Sequence, residues 1–122
     1  MPTLHIQDVP DGTVSFALII DDPDATNGSV WDHCVTYNIP ATATRIDSDT
    51  VADVPYGVNS WGNTEYGGPC PPHGAQPHRY FFKLYALDTT LDFSTPPNTK
   101  DLTEAMDGHI IGQAEYLSLI HI

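Results

Sequence analysis

The chain has 122 residues, which is enough for one domain with a single core but not for two. Sixteen acidic residues against four basic ones give a formal net charge of −12, and this excess of negative charge disfavours binding to nucleic acid. Because no apolar run approaches the length of a membrane span, stable membrane insertion is not expected either.

Three segments are predicted to be the central strands of a sheet. Residues 14–20 are almost entirely apolar, which is typical of a strand buried on both faces. Residues 34–39 alternate apolar with polar side chains, so this strand is expected to be half exposed. Residues 80–87 are rich in aromatic side chains that favour a pleated surface. We therefore expect these three strands to form the core.

The long stretch 41–78 between the second and third strands is predicted to be mostly loop. Asp, Gly, Pro and Asn recur in it too often for an extended helix. A loop of this length in so small a domain is either disordered or functional, and its aromatic residues next to glycines favour an ordered, functional loop.

One short helix is predicted near the end of the chain. Thr99 is the expected N-cap, and Leu102, Ala105 and Met106 would lie on one side of the helix. Gly108 is the expected stop.

Two clusters of chemically active residues flank the turn between the first two strands. Asp22-Pro23-Asp24 follows the first strand, and Trp31 and His33 precede the second. If the two strands are antiparallel neighbours, Asp22 and His33 can face each other. Taken one at a time, the Asp-Pro-Asp segment is ordinary turn chemistry and a lone His is more often structural than functional.

A third cluster, residues 66–80, leads into the aromatic strand. Its glycines free the backbone, its prolines stiffen it, and it contains His73, His78 and Arg79. Such a loop can form the wall of a small pocket. The alternative is a surface crossover rich in Pro and Gly.

Together these segments resemble the signature segments of the phosphatidylethanolamine-binding protein family, whose animal members include the Raf kinase inhibitor protein. The resemblance is carried by Asp22-Pro23-Asp24-Ala25, Trp31-x-His33, Gly67-Gly68-Pro69-Cys70-Pro71-Pro72-x-Gly74 and His78-Arg79-Tyr80. The Gly-Gly-Pro-Cys-Pro-Pro version and Gly108-His109-Ile110 are similar to the bacterial and archaeal branch. The resemblance extends from Leu4 to Glu115, with its motifs in the family's order.

The resemblance implies a mostly β fold, in which a large antiparallel-rich sheet packs on a smaller sheet and one or two short C-terminal helices follow. It also implies a small pocket that binds phosphate-like anions or a phosphoethanolamine head group, without catalysis, metal or cofactor. Because the family includes inhibitors and regulators, a protein kinase or protease is a further expected partner. The implied pocket residues are Asp22, Trp31, His33, Gly68, Cys70, Pro72, His78 and Tyr80. Arg79 is implied to support the pocket by pairing with Asp24.

The side chains of this set suit an anion. The imidazoles of His33 and His78 can donate hydrogen bonds, and imidazoles ordinarily become cationic near neutral pH. The Asp22 carboxylate can orient an imidazole or accept a hydrogen bond from an ethanolamine ammonium group. We therefore expect a zwitterion to bind better than sulfate, and binding to weaken as the imidazoles lose their protons.

A hydrolase is one alternative for the same residues. Asp22, His33 and His78 would act with Cys34 or Cys70 as nucleophile, since the sequence has no Ser in a nucleophile-elbow pattern. Buried structural cysteines are the commoner case. The two cysteines can be free or bridged, and the sequence leaves this open.

A zinc site is the other alternative. Cys70-x-x-His73, with His78 and His33, offers ligand types that zinc prefers. The proline-locked loop and the family resemblance both count against it.

Both ends of the chain depart from the family pattern. We predict a single domain over residues 1–116 that lacks the N-terminal strands of family members, followed by a non-native tail at 117–122. No signal peptide is recognisable, which favours the cytoplasm, although the periplasm stays open if an N-terminal segment has been lost.

Overall fold

A computed structural model describes residues 4–22, 31–46, 54–58 and 78–120; at 22, 31–33, 78–80 and 116–120 the description covers the backbone. The elements in chain order are β1 (Leu4–His5), β2 (Ser15–Asp22), β3 (Trp31–Pro40), β4 (Arg45–Ile46), β5 (His78–Leu87), α1 (Thr99–Met106) and β6 (Ile110–Ile120). A four-stranded antiparallel sheet has the order β3-β2-β5-β6, and β1 pairs with β4 in a two-stranded sheet. The predicted fold class is confirmed.

The central strand β2 is buried on both faces, as its apolar run predicts. Phe16, Leu18 and Ile20 belong to a core that the large sheet shares with the two-stranded sheet, called here the small-sheet core. Ala17 and Ile19 belong to a core on the opposite face, called here the helix core because α1 contributes to it. Alternate side chains of a strand point to opposite faces, so residues 16–20 must all be apolar to serve two cores.

The expectation that the second strand is half exposed is wrong. In β3 the residues Cys34 to Tyr37 are all buried, and Thr36 is fully inaccessible. The polar Thr36 tolerates burial because its hydroxyl donates a 2.8 Å hydrogen bond to the Pro55 carbonyl oxygen. Residues 54–58 run beside β3, where Tyr56 forms an isolated bridge with Thr36. The alternating pattern therefore marks a buried strand whose polar residues find partners.

A β-bulge at Asn38 changes the direction of β3. The pairing shifts between Phe16 and Leu18 of β2, and Asn38 has a left-handed backbone with φ of 56°. The extra residue lets Ile39 join the small-sheet core, although Tyr37, two residues earlier, lies in the helix core. The two β3 residues thus reach opposite faces despite their even spacing.

The predicted helix is present as α1, with its start displaced by one residue. Asn98, not Thr99, is the N-cap, because its side chain accepts a 2.8 Å hydrogen bond from the Asp101 amide. Leu102 and Met106 are buried in the helix core. Gly108 follows the helix with φ of +80°, the left-handed conformation that favours glycine at such a stop.

A fourth long strand of the large sheet, β6, was not predicted, and its described side chains, those of residues 110–115, belong to neither core. β6 pairs with β5 along its whole length. Its residues 110, 111 and 113–115 are exposed, so its sequence lacks the alternation of apolar and polar residues by which a half-buried strand is recognised. Residues 117–120, which the sequence analysis set apart as a tail, form the end of this strand.

Candidate functional site

The end of β2 and the beginnings of β3 and β5 meet at one edge of the large sheet. Asp22 pairs with Trp31 across β2 and β3, and Asp21 pairs with Phe81 across β2 and β5. Tyr80 is the residue before Phe81 on β5. The backbone thus brings three motifs that are distant in sequence to adjacent strand ends, called here the polar edge (residues 21, 22, 31–33 and 78–80).

A second β-bulge lies within the polar edge, at His33. Ile20 pairs with Cys34 while the next residue of β2, Asp21, pairs with Asp32, so His33 is the extra residue on β3. Bulges are frequent beside functional sites, because they interrupt the ladder and redirect the chain. The Trp-x-His motif pointed to His33, but no local pattern in the sequence predicts the bulge.

The remaining predicted site residues fall in parts of the chain that the structure does not describe. Four of them, and with them the predicted Arg79–Asp24 pair, lie outside the described residues: Asp24, Gly68, Cys70 and Pro72. The same holds for His73 of the zinc alternative. Their place in the pocket stays a prediction.

The end of β6 borders the polar edge from the other side of β5. His78 pairs with Ile120, Arg79 with Leu119 and Tyr80 with Ser118. These neighbours were not expected, because residues 117–122 are predicted to be a tail.

An ion pair next to the polar edge was also missed. The Lys83 Nζ atom lies 2.8 Å from the Asp21 Oδ2 atom, and the Asp21 side chain is only 9% exposed. The hydrogen bond with Asp21 raises the pKa of Lys83 and outweighs the opposing effect of burial. One signal was available in the sequence, since Lys83 is the single charged residue within the predicted strand 80–87.

Cys34 lies directly after the bulged His33 and is a free, fully buried cysteine. Burial raises the pKa of its thiol to about 12. Since the thiolate is the nucleophilic form, this thiol is unreactive near neutral pH. The geometry favours a structural role for Cys34 over the nucleophile of the hydrolase alternative.

The described residues contain neither a metal-binding group nor a membrane-spanning helix. Among residues 4–22, 31–46, 54–58 and 78–120, no group of three or more His, Cys, Asp or Glu side chains is placed to hold a metal ion. In the same part of the chain, no helix has the length and apolar character needed to cross a bilayer.

The chain matches the family model described as phosphatidylethanolamine-binding protein over residues 1–119. A UPF0098 protein of Methanothermobacter thermautotrophicus is 44% identical to it over 97% of this chain and 80% of the relative. The crystal structure of the family homologue CT736 from Chlamydia trachomatis has a TM-score of 0.89 and 34% identity, covering 99% of this chain and 80% of that one.

The structure of Escherichia coli YbcL, described as a member of the mammalian family, has a TM-score of 0.83 and 35% identity, covering 99% of this chain and 79% of that one. The chain therefore belongs to the phosphatidylethanolamine-binding protein family. Within it, the relatives identify a protein of the bacterial and archaeal kind.

Proposed function

We propose that the protein binds small phosphate-bearing head groups, of which phosphoethanolamine is the model ligand, at the polar edge. The observation that carries the proposal is the pairing of Asp22 with Trp31 and of Asp21 with Phe81. This pairing brings the Asp, Trp-x-His and His-Arg-Tyr motifs to neighbouring strand ends, although more than 50 residues separate the first motif from the last. Membership of a family named for phosphatidylethanolamine binding supports the ligand class.

The residue types at these strand ends suit a zwitterionic phosphoester. Imidazoles donate to phosphate oxygens and gain a proton readily near neutral pH, while a carboxylate accepts from an ammonium group. A ligand with both a phosphate and an amine can satisfy both kinds of partner. Sulfate offers only the anion and should bind more weakly.

We propose a binding role rather than catalysis. The buried Cys34 thiol, with its pKa of about 12, is a poor nucleophile beside His33. Holding and releasing a head group needs no nucleophile.

Isothermal titration calorimetry with phosphoethanolamine and sulfate tests the proposal. We expect His33→Gln and His78→Gln each to weaken phosphoethanolamine binding about tenfold, the cost of a lost charged hydrogen bond. His5→Gln is the matched control, because His5 is an exposed histidine on the two-stranded sheet. Wild-type affinity should fall between about pH 5.5 and 8.5 as imidazoles lose their protons. Equal affinity of all three variants and the wild type would refute the proposal.

A further inference from the structure

The Asp21–Lys83 ion pair ties two strands together directly beside the polar edge. Asp21 pairs with Phe81 on β5, and Lys83 lies two residues further along the same strand, opposite Ile19. Residues two apart on a strand share a face, so the 2.8 Å contact between Nζ and Oδ2 runs diagonally from β2 to β5. Its carboxylate end is 9% exposed and its ammonium end 35% exposed.

The negative charges around Asp21 favour its ion pair with Lys83. Asp21 is followed by Asp22 and lies opposite Asp32, its register partner on β3. Like charges directly opposite each other destabilise a strand pair, and a buried carboxylate without a cation is costly. Lys83 supplies a cation at this position in a chain with only four basic residues.

The ion pair also lies where the backbone ladder is interrupted. The pairing of β2 with β3 shifts between Ile20 and Asp21, and His33 is left as the extra residue. A bulge leaves one residue out of the ladder, so the strand end depends more on other contacts for its position. On its other side, β2 meets β5 at Asp21 and Phe81, next to the diagonal contact with Lys83.

We propose that Lys83 is a positioning residue for the head-group site, acting through Asp21. By neutralising and anchoring Asp21, it fixes the end of β2, and thereby holds Asp22 in register with Trp31 and beside the bulge at His33. Lys83 itself does not contact the ligand. This inference rests on the proposed head-group function.

Calorimetry with phosphoethanolamine on a set of variants tests this role. Lys83→Met should weaken binding about tenfold, whereas Lys83→Arg, which keeps the charge, should stay within about twofold of the wild type. Lys100→Met is the matched control, because Lys100 is the other lysine, is exposed on α1, and its loss changes the net charge equally. It should bind like the wild type.

A double-mutant cycle separates positioning from direct attraction of the ligand. If Lys83 acts through Asp21, adding Lys83→Met to Asp21→Asn causes no further loss of affinity. An equal loss in both backgrounds would mean that the ammonium group acts on the ligand directly, and would overturn the proposal. A lowered unfolding midpoint with unchanged affinity would overturn it too, since the pair would then only stabilise the fold.

Backbone amide signals of the ligand-free protein provide a readout that does not depend on the head-group function. Displacement of the Asp22 and His33 signals in Lys83→Met, restored in Lys83→Arg and missing in Lys100→Met, supports positioning. Unchanged signals in Lys83→Met overturn it. If the wild-type protein binds no phosphoethanolamine, the proposed function fails, and these signals alone decide whether Lys83 positions the strand end.

Discussion

Asn38 joins two distant parts of the chain through its side-chain amide, and its replacement by Ala should be strongly destabilising. The Asn38 Nδ2 atom donates a 2.8 Å hydrogen bond to the Leu91 carbonyl oxygen, and Oδ1 accepts one of 2.8 Å from the Leu91 amide. The residue also adopts a left-handed backbone with φ of 56°. One side chain therefore satisfies both backbone groups of Leu91, whose own side chain is buried in the helix core.

The size of the destabilisation follows from the two lost hydrogen bonds and the left-handed backbone. Each lost hydrogen bond that leaves a partly buried partner unsatisfied costs about 1 kcal/mol, and holding Ala in the left-handed conformation costs about 1 kcal/mol more. Asn38→Ala should thus lower the free energy of unfolding by about 3 kcal/mol. For a domain of this size, that corresponds to a fall of about 10 °C in melting temperature.

Urea unfolding at equilibrium measures this change, and Asn38→Gly is the informative companion. Glycine adopts the left-handed conformation freely, so this variant should lose only the hydrogen-bond part, about 2 kcal/mol. Phosphoethanolamine binding should survive in both folded variants, because Asn38 lies at the end of β3 opposite the polar edge. Free energies of both variants within about 0.5 kcal/mol of the wild type would refute the reasoning.

Three further predictions concern Gly57 and Cys34. Gly57→Ala should destabilise by about 2 kcal/mol in thermal unfolding, because a Cβ atom there would overlap the Pro97 carbonyl oxygen and lie 2.7 Å from Val35 Cγ1; a wild-type melting temperature would contradict this. Iodoacetamide should leave Cys34 unmodified in folded protein at pH 8, as read by mass spectrometry of its peptide, because burial raises the pKa of the thiol to about 12; modification at the unfolded rate would contradict this. The unfolded thiol releases its proton from its ordinary pKa of 9.0 and the folded one only at about 12, so stability should be intact below pH 9 and fall above it. The Cys34 thiol contributes a slope of about 1.4 kcal/mol per pH unit, and Tyr56 adds to it above pH 10, because burial raises the pKa of Tyr56 to about 12 as well. Cys34→Ala should remove the contribution of the thiol, and an unchanged slope would argue against the buried thiol.

Sequence patterns predicted the parts of the fold whose causes are local. The apolar run of β2 follows from burial on two faces, and Gly108 ends the helix as expected. The exposure of β3 was mispredicted because the partners that satisfy Thr36 and Asn38 lie 19 and 53 residues away. Polar residues with such distant partners look exposed in any local pattern.

β6 and the candidate site likewise depend on contacts between residues that are distant in sequence. β6 has no hydrophobic period because much of it is exposed, and only its pairing with β5 reveals it as a strand. The motifs selected Asp22, Trp31 and His33, and their backbones do lie at adjacent strand ends. The bulge at His33 and the contact of Lys83 with Asp21 depend on register across strands, which the sequence does not state.

The proposed function requires that the strand ends of β2, β3 and β5 together hold one phosphate-bearing ligand. A titration with phosphoethanolamine followed by NMR tests it most directly, using the signals of His33, His78 and Tyr80 together with those of His5 as reference. We expect the three signals to shift along one saturation curve while the His5 signal stays constant. Three different curves, or no saturable shift at all, would contradict a common binding site.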